Sequence, residues 1–118
     1  MKKKYCFVVF SDPAPGREEE YNRWYDDVHL PHVLAVPGFV SARRLKLAEE
    51  SGVENTPLPG RYLALYEMET DDPDAVLRDM WSRAGTPAMT LSDAIDAPNS
   101  THTLFTAITG PVVAVTSE

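Results

Sequence analysis

A single cysteine, Cys6, leaves no possibility of an internal disulfide. A fold made without one has a reducing cytoplasm as its natural setting. Positive charge is also scarce: 11 Lys and Arg stand against 18 Asp and Glu, a formal charge of −7. That balance argues against nucleic acid and acidic membrane surfaces, which call for basic patches. No apolar run is long enough to cross a bilayer. Lys2, Lys3 and Lys4 before YCFVVF mimic the start of a signal peptide, but the run is too short and no small-residue cleavage site follows. The chain has no G-x-G-x-x-G and no G-x-x-x-x-G-K, so phosphate binding by a nucleotide loop finds no support. No serine sits in a G-x-S-x-G turn, and Cys6 lies in an apolar strand without an evident base, so nucleophilic catalysis is poorly supported too. Neither an internal repeat nor a low-complexity tract is present.

What remains is an ordinary globular composition, 43% hydrophobic over 118 residues. The length suits one domain, residues 1–118, with a modest core that a dimer would enlarge. The stretch Glu18 to Leu45 organises the rest. Tyr21, Trp24, Tyr25 and Val28 share one helical face, and Glu18, Glu19 and Glu20 occupy the first turn, where the helix dipole favours acids. Pro31 lacks an N–H and clashes with the carbonyl four residues back, so the helix is expected to kink or stop near His29 or Leu30. A second short turn, His32 to Val36, and a Pro37-Gly38 turn then lead into a strand.

Strands are expected at Tyr5 to Phe10, Phe39 to Leu47, Arg61 to Glu69 and His102 to Thr109. Strict alternation in the second puts Phe39, Ser41, Arg43, Leu45 and Leu47 on one face and Val40, Ala42, Arg44 and Lys46 on the other. Only one of Arg43 and Arg44 can then look toward a pocket. Thr70-Asp71-Asp72-Pro73 is a helix start, and Gly85 follows its end near Arg83. Ala48 to Gly60 is a polar Pro/Gly-rich connection, and Thr86 to Thr101 is irregular, either a lid over a cleft or simple packing. Pro111 to Val115 is an extra short strand or a tail reaching a neighbour. The order β-α-β-β-α-β is the ferredoxin-like pattern: an α+β fold with one antiparallel sheet and both helices on one face. The other face also carries apolar side chains, and a second copy stacked sheet to sheet would cover it.

His29 is the candidate reactive group. It lies one turn after Tyr25, beside the aromatic stripe, and an imidazole there could move protons near neutral pH. The alternative is a histidine that caps the last carbonyls and packs on Tyr25. Asp26, one turn earlier, could orient it, and Tyr25, Tyr62 or Tyr66 could donate to a developing oxyanion. Trp24, His32, Arg43, Tyr62, Tyr66 and Met89 are the expected ligand contacts. A metal site from Asp26, His29 and His32, with His102 as a distant partner, is a third reading on a weak spacing. No metal or cofactor is expected.

The runs WYDDVHLPHVLAVPGFVSARRL, residues 24–45, and RYLALYEME, residues 61–69, resemble the EthD-like branch of the dimeric α+β barrel superfamily. The matching positions include Trp24, Tyr25, Asp26, His29, Pro31, Pro37, Gly38, Phe39, Arg43, Arg44, Tyr62, Tyr66 and Glu67. The resemblance implies a homodimer whose two sheets form a barrel, with a pocket in each subunit between sheet and helices. It implies cofactor-independent chemistry of lyase, cyclase or isomerase type on a small apolar or aromatic molecule, with cofactor-free monooxygenation or a non-catalytic binding or accessory role as alternatives. The suspected histidine at the helix end carries over to His29. The fourth strand, HTLFTAIT, matches no family signature.

Overall fold

The computed structural model describes residues 1–48 and 58–115, so most of the predicted connection from Ala48 to Gly60 lies outside the described residues. Four strands form one antiparallel sheet: β1 (Lys3–Ser11), β2 (Phe39–Lys46), β3 (Tyr62–Thr70) and β4 (Thr101–Thr106). Their order across the sheet is β2-β3-β1-β4, the ferredoxin-like arrangement. Pairing sets the faces. Tyr5, Phe7, Val9 and Ser11 of β1 oppose Met68, Tyr66, Ala64 and Tyr62 of β3. These side chains, with Phe39, make the sheet side of the core, and the helices cover them.

Three helices do so: α1 (Glu18–Trp24), α2 (Leu30–Leu34) and α3 (Pro73–Arg83). Asp72 starts α3 as expected, its carboxylate accepting the Ala75 N–H at 3.1 Å. Gly85 follows the helix with φ +84°, a conformation that glycine adopts at no steric cost. Tyr21 of α1, Tyr25 just after it, Val33 of α2 and Val36 just beyond it meet Val76 and Met80 from α3 over the sheet.

One expectation is met in part and another fails, each for an identifiable reason. The helix changes character at His29/Leu30 as expected, but Pro31 does not end its helical path. The backbone stays right-handed helical from Trp24 through Leu30, and residues Tyr25–His29 widen into a π turn in which the Leu30 N–H reaches the Tyr25 carbonyl five residues back. Pro31 then lies in the first turn of α2, where a missing N–H costs nothing. Strict alternation in β2 fails. The register shifts between Phe39 and Ser41: Phe39 pairs with Met68 and Ser41 with Glu67, so Val40 is an inserted bulge residue. Phe39 therefore shares its face with Ala42 and Arg44, not with Ser41 and Arg43.

The sheet's other face carries Cys6, Val8 and Phe10 of β1, opposite Glu67, Leu65 and Leu63 of β3. No helix among the described residues covers it. Phe105, beside Cys6 on this face, is 55% exposed. Residues 107–115 form no strand, and Ile108, Val112, Val113 and Val115 are exposed. Among the described residues no helix is long and apolar enough to cross a membrane.

Candidate functional site

A cavity of about 210 Å³ lies between the sheet and the helices. Phe7, Val9 and Tyr66 form its sheet side, and Trp24, Tyr25, His29 and Val33 its helix side. Met80 and Trp81 of α3 close a third side. The irregular segment after α3 supplies the last, through Met89, Leu91 and Ile95. The lining is mainly apolar, and both tryptophans of the chain belong to it.

The segment expected as either a lid or packing is a fastened wall. Met89 and Ala94 are buried. Ala94 and Asp96 exchange backbone hydrogen bonds with Ala14 and Asp12, and Arg17 pairs with Asp93 at 2.7 Å. Thr90 is held at both ends of its backbone: its carbonyl accepts from Trp24 Nε1 at 3.2 Å, and its N–H donates to His32 Nδ1 at 3.3 Å.

The π turn decides what His29 faces. On a regular α-helix residues five apart are turned about 140° from one another. Closing the turn five residues back brings position 29 over position 24 again. The His29 ring stacks on Trp24, centroids 4.6 Å apart at 23°, and meets the Tyr25 ring edge-on at 5.1 Å. Its Nδ1 is buried with no hydrogen-bond partner, which leaves Nε2 as the nitrogen a ligand can reach. Burial, helped by the His32 and His102 imidazoles, lowers the His29 pKa to about 4. A second proton would leave a buried N–H without an acceptor, so the same geometry disfavours the cation twice. His29 is neutral at pH 7.

Tyr25 and Tyr66 stand with their hydroxyls 3.5 Å apart. Burial pushes both phenols above their ordinary pKa, so both keep their protons and can donate.

The remaining expected site residues lie elsewhere. Asp26 does not orient His29. It is bound to Arg44, at 2.8 Å, because the π turn directs it to the opposite flank of the helix. Arg44 also donates to Asn22 at 2.9 Å, and its guanidinium lies 4.4 Å from the Tyr25 ring centroid and 5.2 Å and 5.4 Å from those of Tyr21 and Tyr62. Tyr62 belongs to this cluster, not to the cavity: its hydroxyl donates to Glu18. Arg43 is exposed on the uncovered sheet face, opposite Leu65, as a consequence of the bulge at Val40. His32 lies behind the wall it pins. Trp24, Tyr25, His29, Tyr66 and Met89 are thus brought together, while Asp26, His32, Arg43 and Tyr62 are not. The Asp26, His29 and His32 trio cannot close on a metal, since Asp26 is committed to Arg44 and the His32 Nδ1 to Thr90. Among the described residues no group of three or more His, Cys, Asp or Glu could hold one.

Sequence reasoning assigned His102 only a remote role, yet it lines the cavity. The signal was available: it alternates in phase with Leu104, opposite the phase of Phe105, on a strand whose partner was predictable.

The arrangement of sheet and helices has a counterpart among solved structures. A crystal structure of an ethyl tert-butyl ether D (EthD) family protein from Bacillus halodurans superposes with a TM-score of 0.51 at 14% identity, covering 86% of this chain and 95% of that one. The chain has the EthD fold. No family model matches the sequence, and no curated protein does either. At this identity the likeness concerns the EthD fold alone, and the cavity's chemistry must be argued from its own side chains.

Proposed function

We propose that the cavity binds a small, mainly apolar molecule, an aromatic ring foremost, and that neutral His29 accepts a proton from it at Nε2 without a cofactor. The observation that carries this reading is the imidazole stacked on Trp24 with its buried Nδ1 unpartnered among the described residues, set into an apolar, aromatic-lined hollow. Among the described residues no carboxylate holds one of its nitrogens, so Nε2 is left to accept from the ligand. Tyr25, protonated and receiving the Tyr66 hydroxyl, has its own O–H left to donate to an oxygen that gains charge in the reaction. One placed acid–base group of this kind contributes about 10²–10⁴ in rate. The size suits a small ligand: an engineered apolar cavity of about 150 Å³ takes up benzene, and this one, about 210 Å³, has room for a ring with a few substituents.

The uncovered sheet face supports a second part of the proposal. Phe105, Leu45 and Val40 are exposed at 55%, 38% and 57%. A second copy stacked face to face would bury them and complete an α+β barrel.

Tryptophan fluorescence tests the binding, because Trp24 and Trp81 both border the cavity. Small phenols, aromatic ketones and lactones should change the emission of the wild type, and His29→Gln should weaken or abolish the response. Turnover should then be sought on the compounds that bind, with a loss of at least about tenfold in rate for the variant. A folded wild type that responds to none of them would refute the reading. Light scattering at a twofold monomer mass, lost on Phe105→Asp, is the result expected for the dimer.

A further inference from the structure

The polar groups around the cavity can be sorted by what they already hold. Trp24 Nε1 is committed to the Thr90 carbonyl. Ser92 Oγ accepts the Ala94 N–H at 3.0 Å, and Ser100 Oγ donates to the Asp96 carbonyl at 3.1 Å. Tyr25 and Tyr66 face each other. Trp81 Nε1 at the solvent edge and two imidazoles remain without a hydrogen-bond partner among the described residues, and the imidazoles come from different elements. His29 stands on the helix wall. His102 stands on the edge strand β4, opposite Val9 in the pairing and so on the same face as the core. Its ring lies flat against Phe7, centroids 5.9 Å apart at 26°, and takes the Trp81 ring at 5.1 Å and 74°. His102, Trp81 and Leu91 are all partly open to solvent, which places them at the cavity mouth. Two aromatic rings thus hold a third, polar ring in place with both nitrogens uncommitted. Such an arrangement orients a hydrogen bond without using it.

We propose that His102 binds a ligand oxygen at the mouth of the cavity while His29 engages a second polar group at its inner end. The ligand class that follows is an apolar or aromatic body with an oxygen function at each end. Partial removal from water lowers the His102 pKa below its ordinary value, which favours the uncharged ring. A neutral imidazole can donate to a carbonyl or enolate oxygen, and accept from a hydroxyl, without bringing a charge into the apolar hollow. The proposal rests on the reading of the cavity as a ligand site and adds the residue that selects among ligands.

The test compares 4-hydroxyacetophenone, with oxygens at both ends of one ring, to acetophenone and phenol, with one each. Affinities are measured by tryptophan fluorescence and calorimetry for the wild type, His102→Phe and His29→Phe. Phenylalanine keeps the ring contacts of His102 with Phe7 and Trp81 and removes its nitrogens. The wild type should prefer the two-ended probe, and His102→Phe should lose about tenfold in affinity for it, the worth of one good hydrogen bond. Its affinities for the one-ended probes should change little, and His102→Gln should regain part of the preference. Equal losses on all three probes would make His102 a packing residue and overturn the proposal. So would an unchanged preference in His102→Phe with a loss only in His29→Phe, an outcome that leaves the cavity reading intact. A wild type that binds none of the three overturns both.

Discussion

Lowering the pH should destabilise this protein chiefly through His29. In the unfolded chain its imidazole titrates at the ordinary value of 6.5, whereas in the folded protein burial holds it at about 4. Between those values the unfolded state binds a proton that the folded state refuses, so stability falls as pH falls. At pH 7.5 the effect is absent. A tenfold difference in proton affinity between the two states is worth about 1.4 kcal/mol. The loss therefore amounts to about 2 kcal/mol at pH 5 and about 3 kcal/mol below pH 4. The assay is urea unfolding at pH 7.5 and pH 5 for the wild type and His29→Gln, at one protein concentration so that any association is held constant. Groups shared by the two proteins and not coupled to His29 cancel in the difference. The wild type should lose about 2 kcal/mol more than the variant over this range. Nuclear magnetic resonance of the His29 ring should show no titration above pH 5. If both proteins lose the same stability, or the ring titrates near its ordinary value, His29 is not buried as described and is not a neutral, ligand-directed imidazole.

Other expectations follow from the same geometry. Arg44→Met should cost about 2–4 kcal/mol in urea unfolding, since it strips three tyrosine rings and Asn22 of a nearly buried cation. Asp26→Asn, at an exposed partner, should cost under about 1 kcal/mol, and a larger loss would move the weight of the cluster to the ion pair. Gly38→Ala should destabilise by about 2–4 kcal/mol, because φ is +109° there and a Cβ would come within 2.6 Å of Val76 Cγ2. Paired with Val76→Ala, its cost should be less than additive. Trp24→Phe should release the Thr90 carbonyl, seen as faster amide exchange across residues 86–91 with the sheet unaffected.

Much of this was legible in the sequence, for reasons that can be named. YCFVVF declares β1 because an uninterrupted apolar run of that length has no other use in a chain of this composition. Asp72-Pro73 and Gly85 mark the ends of α3 because each satisfies a local backbone requirement that does not depend on the rest of the fold. Trp24, Tyr25, His29, Tyr66 and Met89 meet at one cavity as expected. Two of the misses have a common cause. A π turn at Tyr25–His29 and a bulge at Val40 each insert one residue into a regular element, and periodicity read from the sequence assumes none. The first sends Asp26 to Arg44, and the second turns Arg44 inward where Arg43 was expected. His102 was undervalued because its importance comes from the pairing of β4 with β1, a contact between residues almost a hundred positions apart.

The π turn also makes the site depend on a count of residues. A chain shorter by one between Trp24 and Leu30 would still form a helix there, and it would still cover the sheet. Its imidazole would no longer lie over Trp24, and the cavity would keep its walls while losing its polar centre. Two proteins of this fold, nearly identical in composition along the helix, would then differ in whether they have a reactive group at all. A single-codon deletion in this turn is therefore a sharper way to silence the site than any exchange of one side chain for another, and a single-codon insertion at the equivalent point of a plain-helix chain is the corresponding way to build one.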